Sequence, residues 1–175
     1  ETALPALFPA PPGVGLAWVQ EGSIRIGGLG DSGAPKPPAV LDPRACECCK
    51  VDVAQTTGGL VMAYRDRSEG EVRDISVVRR EDGGWSSPAA VGDEWIIAGC
   101  PVNGPAVSAQ GDKVVVVFFT GNEPPGRVEA TLSHDGGKTF SGGVRLDAGE
   151  PLGRVDVVWG ERDAIASWVE RDGDD

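Results

Sequence analysis

Ser133-His134-Asp135-Gly136-Gly137-Lys138-Thr139-Phe140 is the stretch whose reading decides the fold. It lies between two strand-like runs, Arg127–Leu132 and Gly143–Leu146, and its Asp, paired Gly and Thr have the composition of a tight turn joining antiparallel strands. The Asp135 carboxylate can accept backbone N–H groups of the turn, and the glycines can take positive φ. The Thr139 hydroxyl can then close the ring while Phe140 packs beneath.

Outward from this turn, the same order of strands and turns recurs. Ala106–Ala109, Lys113–Phe119, Arg127–Leu132 and Gly143–Leu146 make one set of four. Val51–Ala54, Leu60–Tyr64, Arg73–Arg79 and Ala89–Val91 make another, and Val155–Trp159 with Ala164–Val169 open a third. Overlaying the sets puts Tyr64, Phe118 and Trp168 in register, 54 and then 50 residues apart. Trp18, in the pair Val14–Val19 and Ser23–Leu29, stands at the same position one repeat earlier. The segment Arg80-Glu81-Asp82-Gly83-Gly84-Trp85-Ser86 is a degenerate copy of the Asp135 turn. Four strands at this period predict an all-β protein, a β-propeller of four-stranded antiparallel blades with about three to four blades represented. The expected division is a partial blade over residues 1–34, a Pro-rich linker over 35–50, blades over 51–92 and 105–147, and a partial blade over 154–175.

The pattern Ser-x-Asp-x-Gly-x-Thr-Phe resembles the Asp-box, or BNR repeat, of sialidases and related β-propellers. The resemblance implies a structural role for Ser133, Asp135, Gly137, Thr139 and Phe140, on the turn between a blade's third and fourth strands and away from the active face. It also implies a six-bladed ring of on the order of 300 residues. The ring is therefore expected to be completed by residues beyond this chain or by another chain. For an exo-alpha-sialidase the resemblance implies three Arg on the substrate carboxylate, a Tyr nucleophile helped by Glu, and an Asp acid/base. The Arg-Ile-Pro motif that carries the first of those Arg is absent. The one Tyr, Tyr64, shares its register with packing positions Phe118 and Trp168.

A net charge of −11 without any Lys/Arg cluster argues against a nucleic-acid partner. No apolar run approaches the roughly 20 residues that span a bilayer. Glu1 followed by the Pro- and Ala-rich Thr2–Pro12 reads as the mature end of an exported chain or as a boundary. Four cysteines, three of them in Cys46-Glu47-Cys48-Cys49, point to a secreted or periplasmic protein.

In a propeller, loops after the second strand and between blades share the face opposite the Asp-box. That rule gathers Gly30–Lys50, Asp66–Glu71, Asp93–Pro105, Thr120–Gly126 and Ala148–Arg154, and with them all four cysteines. Two disulfides are expected, with Cys48 or Cys49 reaching Cys100 and Cys46 taking the remaining partner. A thiolate site for Zn or Cu(I) at Cys46, Cys48, Cys49 and Cys100 is one alternative and reactive free thiols are another, and otherwise no cofactor is expected. His134, the only His, falls on the opposite face. Arg65, Arg67, Arg73, Asn103 and Arg154 are candidates to bind a carbohydrate or protein ligand, with Asp66 and Asp74 as candidate proton carriers. The plainer reading of Arg65–Arg67 and Arg73–Asp74 is an Arg–Asp ladder across adjacent strands. The function expected is a glycan- or protein-binding module. Its alternatives are a sialidase with catalytic groups partly outside the chain and a thiolate metal-binding propeller.

Overall fold

The computed structural model describes residues 3–30 and 32–172. The expectations that rest on Glu1-Thr2 and on Gly173-Asp174-Asp175 lie outside the described residues.

The chain is all-β, built as four antiparallel sheets in sequence order. Sheet I runs β1 (Ala6–Ala10), β2 (Gly13–Gln20), β3 (Ser23–Leu29), β4 (Pro35–Asp42). Sheet II runs β5 (Asp52–Thr56), β6 (Gly59–Arg65), β7 (Ile75–Glu81), with two short pieces, β8 (Gly84–Trp85) and β9 (Ala89–Ala90), both paired to β7. Sheet III runs β10 (Ala106–Gln110), β11 (Lys113–Thr120), β12 (Arg127–Ser133), β13 (Val144–Arg145). Sheet IV pairs β14 (Pro151–Trp159) with β15 (Ala164–Glu170).

The central residues of the second strands β6 (Leu60–Tyr64) and β11 (Val114–Phe119) are apolar in succession because both faces of these two strands are covered. In β6, Met62 and Tyr64 pack against Phe8, Ala17, Ile24 and Ile26 of sheet I. Val61 and Ala63, on the other face, pack against Val107, Val114, Val116 and Phe118 of sheet III. Val115 and Val117 of β11 then meet Val155 and Val157 of sheet IV. A strand's period of two thus feeds two cores at once. Each fully buried residue of this kind contributes roughly 1.5–3 kcal/mol. The first strands β1, β5, β10 and β14 are successive neighbours. The Val107 N–H donates to the Asp52 carboxylate at 2.8 Å, and the Trp159 N–H to Ser108 Oγ at 3.0 Å.

Two strands depart from the expected division. Residues 35–50 are not all linker: Pro35–Asp42 is β4, paired to β3, and sheet I is a full four-stranded meander once Ala6–Ala10 is added. Both segments carry prolines, which lack the N–H that a central strand must donate. They are tolerated because β1 and β4 are the two edges of the sheet.

The turns sort to two ends. At one end the turn after β5 bonds to the turn after β10 (Thr57 N–H to Gly111 O, 3.2 Å), and the Gly136 N–H donates to Asp112 O at 2.9 Å. At the other, Cys46 N–H donates to Arg65 O (3.0 Å), Arg73 N–H to Trp95 O (2.8 Å) and Ile97 N–H to Glu71 O (3.1 Å).

Candidate functional site

The cysteine-bearing end begins where β4 stops. The bridge Ala45–Asp66 and the Cys46 N–H bond to Arg65 fasten the chain to the end of β6. A turn closed by Cys49 N–H to Cys46 O at 3.4 Å follows. Disulfides join Cys46 to Cys49 and Cys48 to Cys100, with Cα–Cα distances of 5.5 and 6.3 Å, inside the span a disulfide accepts. Of the partners open to Cys100 in the sequence, the structure pairs Cys48. Cys46, Cys48 and Cys49 are buried, Cys100 is exposed, and the Cys46 and Cys48 sulfurs are 3.6 Å apart. The sulfurs of Cys46, Cys48 and Cys49 lie within 4.8 Å of one another, so as thiolates, with the disulfides reduced, this buried group could hold a metal ion.

Arg65 points into the protein and not onto the exposed face of this end. It is 2% exposed, and its guanidinium donates to the carbonyls of Asn103 (2.7 Å), Arg73 (2.6 Å) and Phe119 (2.6 Å) beneath the Trp95 ring. Burial pushes its pKa down to about 10, so it remains a cation at neutral pH. It is a bracket tying loops of sheets II and III together. Arg67 and Arg73 share one carboxylate, Glu71, at 2.8 and 2.9 Å, which corrects the expected Arg–Asp ladder. The hydrogen bonds from Arg67 and then Arg73 hold the Glu71 pKa down to about 2. Arg73 is buried, bonds to Ile97 O at 3.2 Å, and directs Nη1 at Cys46 Sγ, 3.5 Å away.

Asp66 and Asp74 serve the backbone. Asp66 accepts from the Arg67 N–H (2.6 Å) and Asp74 from the Ile75 N–H (2.7 Å), while burial raises both pKa values. Neither lines the two grooves described below. Tyr64 is fully buried and donates to Asp42 at 2.6 Å, in the packing role its register indicates.

Two grooves flank the Cys48–Cys100 link, and Cys48 borders both. The larger, about 470 Å³, gathers Lys50, Val102, Asn103 and Gly104 from two successive inter-sheet segments and Arg154 and Val155 from β14. Asn103 ties them: its amide donates to Leu152 O (3.2 Å) and accepts the Arg154 N–H (2.9 Å). Lys50 Nζ donates to Val155 O at 2.7 Å and Arg154 Nη1 to Val102 O at 2.8 Å, with Arg154 exposed. Gly104 is required here because a Cβ would strike the Lys50 backbone. The smaller groove, about 270 Å³, is lined by Glu47, Cys48, Arg67, Arg73 and Cys100. Backbone strain gathers at this end: Glu71, Glu94, Val102 and Arg154 hold φ of 60°, 60°, 53° and 58°.

Sequence reasoning assigned no role to Glu71, Trp95, Asp42 or Lys50. An acid four residues after Arg67 was the only available signal, for Glu71.

At the opposite end, Asp135 accepts from the N–H groups of Lys138 and Thr139 (3.0 and 2.9 Å) and from the hydroxyls of Ser133 and Thr139 (both 2.7 Å). The Gly137 N–H donates to Ser133 Oγ at 2.9 Å, with Gly136 and Gly137 at φ 74° and 84°. Phe140 packs onto the core between sheets II and III, and His134 is exposed on this end, away from the sulfurs.

No protein-family model matches the chain, and no curated protein matches it.

Proposed function

We propose that the chain is the greater part of an exported, sialidase-like β-propeller that binds an acidic carbohydrate at its cysteine-bearing end. The larger groove carries the reading: on a chain of net charge −11, its lining includes Lys50, Arg154 and the Asn103 amide and no carboxylate. Guanidinium and ammonium groups beside an amide suit a sugar acid, with the carboxylate on Arg154 and hydroxyls on Asn103. The propeller reading is supported by consecutive meanders packed face to face, by adjacent first strands, and by turns sorted to two ends. Export is supported by the two disulfides. Among the described residues no helix is long and apolar enough to cross a membrane. Sheet IV leaves Val158, Ile165 and Val169 exposed, which agrees with further strands of the ring covering it.

Hydrolysis is not part of this reading, because Tyr64 is buried and Asp66 and Asp74 bond to backbone. The test is calorimetric titration with uronic acid and sialic acid oligosaccharides beside their neutral counterparts. The acidic ligands are expected to bind, and Arg154→Ala to weaken them by about 10-fold or more. Equal affinity for acidic and neutral sugars, or binding indifferent to Arg154→Ala, overturns the reading.

A further inference from the structure

A third buried sulfur, that of Cys48, stands beside the Cys46–Cys49 bond. A disulfide needs two sulfurs near each other, whereas here three buried ones, from Cys46, Cys48 and Cys49, crowd within 4.8 Å, across both bonded pairs. Cys46 Sγ of one pair lies 3.6 Å from Cys48 Sγ of the other. An ion held about 2.3 Å from each of three sulfurs requires them to be about 4 Å apart. The Cys46–Cys48 separation of 3.6 Å comes close to that value.

The surroundings suit an anionic sulfur group. The buried Arg73 guanidinium directs Nη1 at Cys46 Sγ and is itself fixed by Ile97 O and Glu71, as an outer partner of a ligand should be. Val102 packs on the cluster and supplies an apolar wall. Cys48 opens onto both grooves, which gives an ion a way in. The group contains sulfur alone, with no imidazole or carboxylate oxygen among the described residues. Such a soft donor set selects Cu(I) over hard cations.

We propose that Cys46, Cys48 and Cys49, once reduced, form a three-thiolate site for one monovalent copper ion, with the Arg73 guanidinium as its neighbouring cation. A phosphine or thiol reductant supplies two electrons to each disulfide, and two protons from water complete two thiols. With a phosphine, each bond broken yields one phosphine oxide. Copper then displaces the thiol protons of Cys46, Cys48 and Cys49 to bulk water. Cys100, exposed and outside the three-sulfur group, stays a free thiol. The site is independent of the sugar groove's cations, so either assignment can fail alone.

The experiment is an anaerobic titration of the full chain with Cu(I) against a chromophoric Cu(I) chelator. It is done on the oxidised protein and on protein reduced with a phosphine and desalted. The reduced protein is expected to withdraw one equivalent of copper and the oxidised protein none. X-ray absorption should show a sulfur-only shell, and copper should raise the Tm of the reduced protein. Cys100→Ser should retain the equivalent, Arg73→Met should lose about 10- to 100-fold in affinity, and Cys46→Ser with Cys48→Ser should abolish uptake. Circular dichroism verifies that each variant is folded, and the wild-type pair of titrations decides the matter if one is not. No uptake by reduced protein overturns the proposal, as does uptake that survives the double substitution. Preference for Zn(II), with Cys100 needed as a fourth ligand, also overturns it.

Discussion

The two ends of the molecule are held by opposite means. The Ser133–Phe140 turn is closed by bonds within its own eight residues, most of them made by one carboxylate. The cysteine end is closed by residues far apart in sequence: Cys48 with Cys100, Arg65 with Asn103 and Phe119, and Asn103 with Arg154. The first end has φ above zero in its glycines, where it is free. The second imposes it on Val102, Glu94, Glu71 and Arg154, where it is strained. A local device can stabilise a fold without making a site. Loops held by long-range links on a rigid scaffold are where binding residues are most often found, and the proposed groove lies at this end.

If that contrast is right, the largest single loss comes from the long-range end. Arg65→Met removes the donors of two buried carbonyls and one half-buried carbonyl, and urea unfolding should show a loss of about 5 kcal/mol. A loss below about 1 kcal/mol, the scale of a surface contact, would break the comparison. The disulfides sharpen it further. Cys48→Ser with Cys100→Ser opens a link across 52 residues and should cost about 4 kcal/mol, whereas Cys46→Ser with Cys49→Ser spans three and should cost about 2 kcal/mol. Equal losses would mean that the Cys48–Cys100 link is not what holds the two loops together.

The same contrast explains what could be read from the sequence. Strands β2, β3, β5 to β7, β10 to β12, β14 and β15 announce themselves because apolar and β-branched runs of the right length alternate with Gly-Asp or Gly-Gly turns. The Asp135 turn is legible residue by residue because all its partners are local. β1 and β4 were hidden by their prolines, a composition that marks loops and edge strands equally. At the other end the sequence placed the cysteines, Arg67, Arg73, Asn103 and Arg154 on one face. It could not say that Arg65 points inward while Arg154 points out. That difference depends on three carbonyls supplied by segments 8, 38 and 54 residues away. The role of Glu71 was likewise invisible, because nothing local distinguishes a carboxylate shared by two arginines from one in solvent.

The smallest effect belongs to the local end, and it concerns pH. The Thr139 hydroxyl and N–H, with the Ser133 hydroxyl, hold the Asp135 carboxylate well below its ordinary value of 3.8. Its folded pKa is depressed, so its contribution to stability is full above about 3.8 and is lost as pH falls further through the folded value. Asp66 and Asp74 act in the reverse sense. Burial raises their pKa values, so the folded chain binds their protons more readily, and mild acid relieves a cost instead of adding one. Asp135→Asn should therefore remove part of the acid sensitivity below pH 4 and leave the shape of the curve above pH 5 unchanged. Unfolding midpoints measured from pH 2.5 to 7 test this, with amide exchange at Lys138 and Thr139 as the local readout. If Asp135→Asn reshapes the profile above pH 5, the turn is coupled to the buried carboxylates at the far end, and the two ends are not the independent devices their bonding describes.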